Sequence, residues 1–294
     1  MVNQSPFFML NNEVQMPALG LGVFQSSPEE TIIAVSTAIA GGYRLIDTAA
    51  RYANEPEVGE GIRQSGVDRN QIFVTTKLWF SDYGYDAALR AFDRSLSKLG
   101  LDYLDLYLLH WPVPSNFDKT LTAWRAMETL LAERRVRAIG VSNFNSQRLM
   151  DLIAHSSVTP AVNQVELHPF FAQRQLQDVN AKLGIVTQAW SPIGGIRRYW
   201  KKGEQKSLEP LSHPVITFLA QKYKKSAAQI VLRWHMHIGT SAIPKSVNPV
   251  RIVENFNIFD FTLTTDEVAA ITALDTGERG GPDPELVSAK FFDA

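Results

Sequence analysis

Short apolar runs alternate with amphipathic segments along nearly the whole chain. The apolar runs lie at residues 19–24, 44–49, 73–79, 104–110, 138–143, 161–167, 184–190 and 241–246. Most are apolar almost throughout rather than at alternate positions, as expected for strands that are covered on both faces. Between them, apolar residues recur at helical spacing. In the segment 85–100 they are Leu89, Phe92, Leu96 and Leu99, and Gly100 follows where a helix C-cap is expected.

Eight such strands with intervening helices predict a closed barrel rather than an open doubly wound sheet. The fold class is therefore α/β, a (β/α)₈ TIM barrel. Residues 7–16 precede it and read as a small β-hairpin with Asn11 and Asn12 at the turn. No linker rich in glycine and proline divides the chain, so we predict a single domain over residues 1–294.

Composition and charge exclude several classes of function. The formal net charge is −1 and there is no cysteine, which argues against a general attraction to nucleic acid and rules out disulfides, thiolate catalysis and cysteine zinc sites. No apolar run reaches the roughly 20 residues that span a bilayer, and the N-terminus does not resemble a secretory signal. A cytoplasmic protein is expected. The densest basic cluster (Arg197, Arg198, Lys201, Lys202) is interpreted as a solvated loop.

Four titratable residues follow or end successive apolar strands, namely Asp47, Tyr52, Lys77 and His110. Loops at the carboxyl ends of barrel strands carry function, so these side chains are expected to converge at the barrel mouth. Taken singly, each has a plainer interpretation: Asp47 could cap a helix and Tyr52 could be a surface residue. Their joint occurrence favours a site of proton transfer.

The residue types suggest how a proton would move. A lysine ammonium beside a tyrosine favours the phenolate, and an aspartate keeps the lysine charged. We therefore expect Lys77 to lower the pKa of Tyr52 and make it a usable proton donor, while His110 orients a carbonyl oxygen. Side chains cannot supply a hydride, so a cofactor is required. Lys245, Ser246 and Arg251 lie around a strand end and the following helix start, a favourable place for a phosphate.

The sequence closely resembles the aldo-keto reductase family. Residues 42–62, 101–114 and 243–261 are similar to three family signatures, and residues 75–79 supply the lysine. The order and spacing hold from the hairpin to about Phe261. Within the family the chain looks like bacterial members related to 2,5-diketo-D-gluconate reductase. The resemblance implies a (β/α)₈ barrel that binds NADPH in extended form without a Rossmann domain.

The resemblance also implies the residues that bind the cofactor and the substrate. Ser142, Asn143 and Gln164 would hold the nicotinamide carboxamide, and Trp190 would stack on the nicotinamide ring. Ser191 and Ile193 would line the path of the pyrophosphate. Lys245, Ser246 and Arg251 would bind the 2′-phosphate, with Glu254 and Asn255 at the adenine. Phe24, Trp79 and Trp111 should form an apolar wall for the substrate, and such a wall accepts many aldehydes and ketones.

The sequence thus predicts a monomeric NADPH-dependent reductase of small aldehydes, ketones or keto-sugars, with no membrane or nucleic-acid partner. One alternative is a non-catalytic binding subunit or sensor on the same barrel, which has no physical need for all four titratable residues together. Another is a metal-dependent hydrolase, for which His110 has no evident histidine companion. His235 and His237 are two apart in a predicted helix and point to different faces, so no metal is expected.

Overall fold

The computed structural model describes residues 5–195 and 209–288. The strands are β1 (Phe7–Met9), β2 (Gln15–Pro17), β3 (Leu21–Gly22), β4 (Leu45–Asp47), β5 (Phe73–Leu78), β6 (Leu104–Leu109), β7 (Val136–Ser142), β8 (Val162–Glu166), β9 (Val186–Trp190) and β10 (Ser241–Ala242). The α-helices are α1 (Pro28–Ala40), α2 (Glu55–Ser65), α3 (Tyr85–Leu99), α4 (Phe117–Ala132), α5 (Ser146–Ala154), α6 (Arg174–Lys182), α7 (Pro214–Tyr223), α8 (Ala227–His237), α9 (Pro249–Phe256) and α10 (Thr265–Thr272).

Strands β3 to β10 form one parallel sheet in chain order, each paired with the next. The sheet closes on itself because the two outer strands are bridged. Leu19 pairs with Ala242, and Gly22 pairs with Lys245, both in parallel. The Gly20 N–H donates to the Ala242 carbonyl at 2.9 Å. Helices lie between successive strands along the chain, so the predicted (β/α)₈ barrel is confirmed.

The N-terminal hairpin covers the end of the barrel where the strands begin. Strands β1 and β2 are antiparallel, as predicted. In the turn between them, the Asn11 side chain donates to the Pro160 carbonyl at 3.0 Å, and the Asn12 side chain donates to the Arg137 carbonyl at 2.9 Å. Since Arg137 is near the start of β7 and Pro160 precedes β8, these bonds fasten the hairpin to the floor of the barrel.

Several helix ends follow the local sequence rules. Ser27 and Glu30 form a reciprocal capping box at the start of α1, which satisfies two backbone N–H groups that the helix itself cannot bond. Helix α3 ends as predicted at Gly100, whose φ of 65° is the left-handed conformation that glycine adopts without strain. The chain then turns directly into β6, which pairs in parallel with β5.

The apolar core has two parts, as a barrel requires. One fills the barrel interior and includes residues of the hairpin: Leu10, Met16, Leu45, Phe73, Leu106, Leu108, Ala138, Ala161, Val162 and Ile243. The larger part lies between the sheet and the surrounding helices, where Trp124 and Trp234 are fully buried. Burial on both faces explains why the strands are apolar almost throughout.

Most strands are shorter than the predicted apolar runs, and the first and the eighth are the shortest. The eighth was expected over residues 241–246 but ends at Ala242; Pro244 has no N–H to donate to a ladder. The first was expected over residues 19–24 but is a continuous strand only at Leu21 and Gly22, with an isolated bridge at Leu19. The basic cluster Arg197, Arg198, Lys201 and Lys202, interpreted as a solvated loop, lies outside the described residues.

Candidate active site

Inward-facing positions of the barrel strands change from apolar to polar toward the carboxyl end. Leu45 is followed on the same face by Asp47, and Leu108 is followed by His110, because side chains two apart in a strand point the same way. Lys77 faces inward on β5 between them. The strand pattern alone thus brings three of the four predicted titratable residues to one end of the barrel interior.

Tyr52 reaches this cluster from a short 3₁₀ helix that follows β4 and spans Ala50–Tyr52. The turn after it is held by Asn54, which is buried. Its Oδ1 accepts from the Thr48 hydroxyl at 2.8 Å, and its Nδ2 donates to the Val23 carbonyl at 2.9 Å. These bonds tie the Tyr52 segment to both β4 and the chain beyond β3, so the phenol is fixed over the barrel end.

Lys77 is the centre of the cluster. Its buried ammonium donates to the Asp47 carboxylate at 2.5 Å, to the Thr48 carbonyl at 2.9 Å and to the Tyr52 hydroxyl oxygen at 3.4 Å. An ammonium has three protons and no acceptor, so these three bonds use its whole capacity. Tyr52 must therefore accept from Lys77, and its own hydroxyl proton is left to point elsewhere.

The electrostatics of Lys77 and Asp47 are those of a buried ion pair. Burial opposes the charged lysine, but the Asp47 carboxylate and Tyr52 outweigh it and raise the pKa of Lys77. Burial also raises the pKa of Asp47, while Lys77 and the Gln164 amide act in the opposite direction. Three donated hydrogen bonds and a partner carboxylate keep Lys77 charged, which preserves the arrangement around Tyr52.

The pKa of Tyr52 differs from the sequence expectation. Burial raises it, and this effect outweighs the lowering by Lys77; the nearby Asp47 charge raises it further. The expectation of a lowered pKa was wrong because it considered Lys77 without the loss of solvent. Lys77 still favours the phenolate relative to a buried tyrosine that has no cation beside it.

His110 is held neutral at the same site. Its pKa lies well below the usual value because of burial and, to a lesser degree, the positive charges of Lys77 and Arg51. A neutral imidazole has one N–H donor and one acceptor nitrogen. Nδ1 is buried without a hydrogen-bond partner among the described residues. His110 can therefore offer a hydrogen bond to a substrate oxygen without adding a charge.

Aromatic rings surround Tyr52 and His110. The Phe24 ring lies 4.9 Å from that of Tyr52, and the Trp79 ring lies 5.1 Å from that of His110 in an edge-on arrangement. The Trp111 ring is parallel to that of His110 at 6.3 Å. The three residues predicted for the substrate wall thus lie beside the titratable residues.

The predicted nicotinamide residues are joined to His110 by hydrogen bonds. The Asn143 amide donates to the His110 carbonyl at 3.0 Å and to the Ser142 hydroxyl at 3.1 Å. Its oxygen accepts from the Trp190 indole N–H at 2.9 Å. The Trp190 ring is half-buried, and this bond holds the N–H edge of the indole against Asn143. The protein therefore fixes the direction in which the face of the ring points.

Gln164 belongs to a chain of buried amides that crosses the barrel interior. Its Nε2 donates to Asp47 Oδ2 at 2.8 Å and to the Gln188 side-chain oxygen at 2.7 Å. Gln188 in turn donates to the Ser241 hydroxyl at 3.1 Å. Both amide protons of Gln164 are committed to the protein, so its oxygen is the atom that can accept from a ligand.

The residues predicted for the phosphate end lie on the same rim. Gly22 pairs with Asp47 on one side and with Lys245 on the other, so the two charged residues are separated by one strand. Arg251 is exposed in the first turn of α9, whose cap Asn248 accepts from the backbone N–H groups of residues 250 and 251. Among the described residues, no carboxylate forms an ion pair with Lys245 or Arg251.

The other predicted cofactor residues fall on two elements. Ser191, at a φ of 48°, and the half-buried Ile193 follow β9 directly, while Ser246 follows Lys245 and accepts from the Asn248 N–H at 3.2 Å. Glu254 and Asn255 lie in the last turn of α9. The predicted residues are therefore distributed from β7 and β8 along the rim to α9.

Sequence reasoning missed three residues of this region. Gln188 lies in β9 two residues before Trp190, so the alternation of side chains along a strand could have predicted that it faces the same way. Arg51 carries a charge next to Tyr52 and was not considered. Glu166 is fully buried beyond Gln164 and accepts from the N–H groups of Gly280 and Gly281 at 2.6 and 2.9 Å; no local pattern announces this contact with a segment over 110 residues away.

In the described part of the chain, no group of three or more His, Cys, Asp or Glu side chains could hold a metal ion. His235 and His237 both lie in α8 and contact different parts of the protein. His235 is buried against Thr240 and the Pro192 carbonyl, and His237 accepts from the Leu263 N–H. None of the described helices has the length and apolar character needed to cross a membrane.

Comparison with known proteins establishes the class of this chain. The model of the Aldo/keto reductase family matches residues 18–276. The chain is 56% identical over 295 residues to morphine 6-dehydrogenase of Pseudomonas putida, with 99% of each chain covered. It is 50% identical to the solved aldo/keto reductase of Brucella melitensis, at a TM-score of 0.85, covering 92% of this chain and 100% of that one.

A third relative carries the cofactor in its crystal structure. The Bombyx mori aldo-keto reductase in complex with NADP is 37% identical, at a TM-score of 0.88, with 99% of this chain and 97% of that chain covered. The chain belongs to the aldo-keto reductase family. It is an oxidoreductase that uses NADP(H) and acts between alcohols and carbonyl compounds.

Proposed function

We propose that this enzyme reduces small aldehydes, ketones or keto-sugars to alcohols at the Asp47–Tyr52–Lys77–His110 cluster, with Tyr52 as the proton donor. The observation that carries the proposal is the hydrogen-bonding of Lys77, whose three protons go to Asp47, Thr48 and Tyr52. Because Lys77 can only donate, the Tyr52 proton is directed away from it and is available to a substrate oxygen.

The proton balance follows from this arrangement. Bound NADPH supplies the hydride that a carbonyl carbon needs to become a carbinol carbon. As that carbon is reduced, its oxygen gains negative charge and takes the Tyr52 proton. The phenolate left on Tyr52 accepts a hydrogen bond from the Lys77 ammonium and regains a proton from water. Lys77 thus makes proton donation by a buried tyrosine easier without giving up a proton itself.

His110 and the aromatic wall position the substrate. A neutral His110 can donate one hydrogen bond to the carbonyl oxygen beside Tyr52, whose ring lies 5.8 Å from its own. Phe24, Trp79 and Trp111 exclude water from the same space, which strengthens the polar contacts that remain. A wall of this kind favours apolar parts of a substrate without selecting one carbonyl compound.

The described residues fit NADPH at both ends of the predicted path. Near the cluster, Gln164 has an oxygen free to accept from an amide, and Trp190 has a fixed indole plane. At α9, Lys245 and Arg251 have no carboxylate partner among the described residues, as a site for a phosphate dianion requires. The roles of Ser142, Asn143, Ser191, Ile193, Ser246, Glu254 and Asn255 in cofactor binding are part of this proposal.

Isotope transfer tests the reaction directly. NADPH carrying deuterium at the transferred position is incubated with the enzyme and a panel of aldehydes, ketones and keto-sugars, and the products are analysed by mass spectrometry. We expect deuterium at the carbinol carbon of the product alcohol and one NADPH consumed per alcohol. NADPH oxidation that does not depend on any carbonyl compound would contradict the proposal.

A further inference from the structure

Arg51 is an exposed arginine at the entrance of the candidate site. It lies in the same 3₁₀ helix as Tyr52, one residue before it. Its guanidinium carbon is 5.6 Å from the centre of the Trp79 ring. Within the described part of the chain it forms no ion pair with a carboxylate. Arg69 and Arg137, by contrast, both form ion pairs with Asp105.

The position of Arg51 relative to the reacting groups is set by Trp79. One part of the Trp79 ring faces the guanidinium, and the same ring makes the edge-on contact with His110 at 5.1 Å. The charge of Arg51 is also close enough to contribute to the low pKa of His110, after burial and Lys77. The Trp79 ring therefore contacts both Arg51 and His110.

An arginine in this position serves either of two purposes. It could simply stack on Trp79, since a guanidinium within about 6 Å of a tryptophan face is attracted to it. Stacking, however, uses the face of the guanidinium and leaves its N–H donors at the edge unused. Those donors form a fork that matches the two oxygens of a carboxylate. A single guanidinium also balances the single charge of a carboxylate, whereas a phosphate monoester carries about two.

We propose that Arg51 is a specificity-determining residue that selects carbonyl substrates bearing a carboxylate group. The carbonyl oxygen lies at Tyr52 and His110, the middle of the substrate lies along Trp79, and the carboxylate lies against the Arg51 guanidinium. This inference rests on the proposed carbonyl reduction at the same site. It adds a substrate class, anionic aldehydes and ketones, that the aromatic wall alone does not select.

The expected size of the effect follows from the exposure of Arg51. An ion pair in open solvent contributes little, whereas a charge-assisted hydrogen bond in an enclosed site is stronger. With Trp79 on one side and solvent on the other, Arg51 is between these cases. We expect it to favour an anionic substrate over its neutral analogue by about tenfold in kcat/KM, which corresponds to about 1.4 kcal/mol.

The test compares a charged aldehyde, para-formylbenzoate, with its neutral methyl ester, which has the same ring and the same aldehyde group. Their kcat/KM values are measured with NADPH for wild type, Arg51→Gln and Arg51→Lys. Arg125→Gln is the control, because Arg125 is an exposed arginine in the middle of α4, a helix that contributes no residue to the candidate site. The ratio of the anion to the ester isolates the carboxylate, since any change at His110 or Trp79 affects both aldehydes.

We expect the anion-to-ester ratio to fall about tenfold in Arg51→Gln, to fall less in Arg51→Lys, which keeps the charge but loses the fork of donors, and to be unchanged in Arg125→Gln. Added salt should lower the wild-type ratio, because it screens exposed charges. A ratio that is the same in wild type and Arg51→Gln would overturn the inference while leaving the proposed function intact. A wild-type enzyme that reduced neither these aldehydes nor any other carbonyl compound would overturn the proposed function, and the inference with it.

Discussion

Removal of Arg251 is expected to weaken NADPH binding and to leave NADH binding nearly unchanged. The two cofactors differ in the 2′-phosphate, for which Lys245 and Arg251 are the proposed ligands. Arginine binds phosphate oxygens through a fork of N–H donors, whereas lysine acts as a compact point charge. Arg251→Ala therefore removes the directional part of the site, and Lys245 cannot replace it.

The magnitude can be worked from the surroundings of Arg251. Charge-assisted hydrogen bonds contribute about 1.5–3 kcal/mol each. Arg251 is exposed, and Asn248 already accepts from two backbone N–H groups of the first turn of α9. Solvent screening and this competing cap place the expected loss at the lower end of that range. NADPH affinity should fall roughly tenfold, since about 1.4 kcal/mol is a factor of ten in an equilibrium constant.

Cofactor titration followed by tryptophan fluorescence measures this effect. Trp190 is the expected reporter because it lies beside the proposed nicotinamide site. Arg125→Ala is a matched control, because it removes an exposed arginine from a helix that has no part in the site. An equal loss of affinity for NADPH and NADH would show that Arg251 supports the fold. A wild-type preference for NADH would refute the assignment of the phosphate site itself.

Three further changes test the substrate wall, the amide chain and the charge of a helix cap. Trp111→Ala should alter the ranking of carbonyl substrates more than NADPH affinity, as steady-state kinetics and titration would show; a change in cofactor binding alone would misplace the wall. Gln188→Leu removes an acceptor of the Gln164 amide, so the free energy of unfolding in urea should fall by about 1–3 kcal/mol; an unchanged midpoint would contradict the hydrogen bond. Burial acts to raise the pKa of Glu267, but hydrogen bonds from Lys222, Tyr223 and the Thr264 N–H outweigh it and lower this pKa from 4.5 to about 2. Its contribution to stability is therefore present above pH 4.5 and lost toward pH 2, so Glu267→Gln should be destabilised at neutral pH but match wild type in acid.

The sequence predicted the barrel because a short, almost continuously apolar run recurs at nearly every strand. Burial on both faces makes each strand apolar, and Asp47, Lys77 and His110 interrupt that pattern at the same end. Strand direction then brings them together without any knowledge of the loops. The strand ends were less predictable, since ladder pairing near Pro244 depends on which N–H groups meet a partner in the closed barrel.

Other parts of the site depend on contacts that no local pattern contains. The direction of the Tyr52 pKa shift was wrong because the degree of burial depends on the whole barrel mouth. The link from Asp47 through Gln164 to Gln188 joins three strands, and the bonds from Gly280 and Gly281 to Glu166 join segments over 110 residues apart. Such contacts appear only when the fold is complete.

The central claim, that Tyr52 donates the proton, is tested most directly by Tyr52→Phe. The change removes only the phenolic oxygen, which lies 3.4 Å from Lys77. Tyr85→Phe is the matched control, because the Tyr85 hydroxyl contacts Thr129 on the helical layer, away from the barrel mouth. NADPH affinity and turnover of one aldehyde are measured for both variants. We predict that Tyr52→Phe keeps its NADPH affinity and loses turnover by about 10²-fold or more, while Tyr85→Phe behaves as wild type; unchanged turnover in Tyr52→Phe would contradict the account.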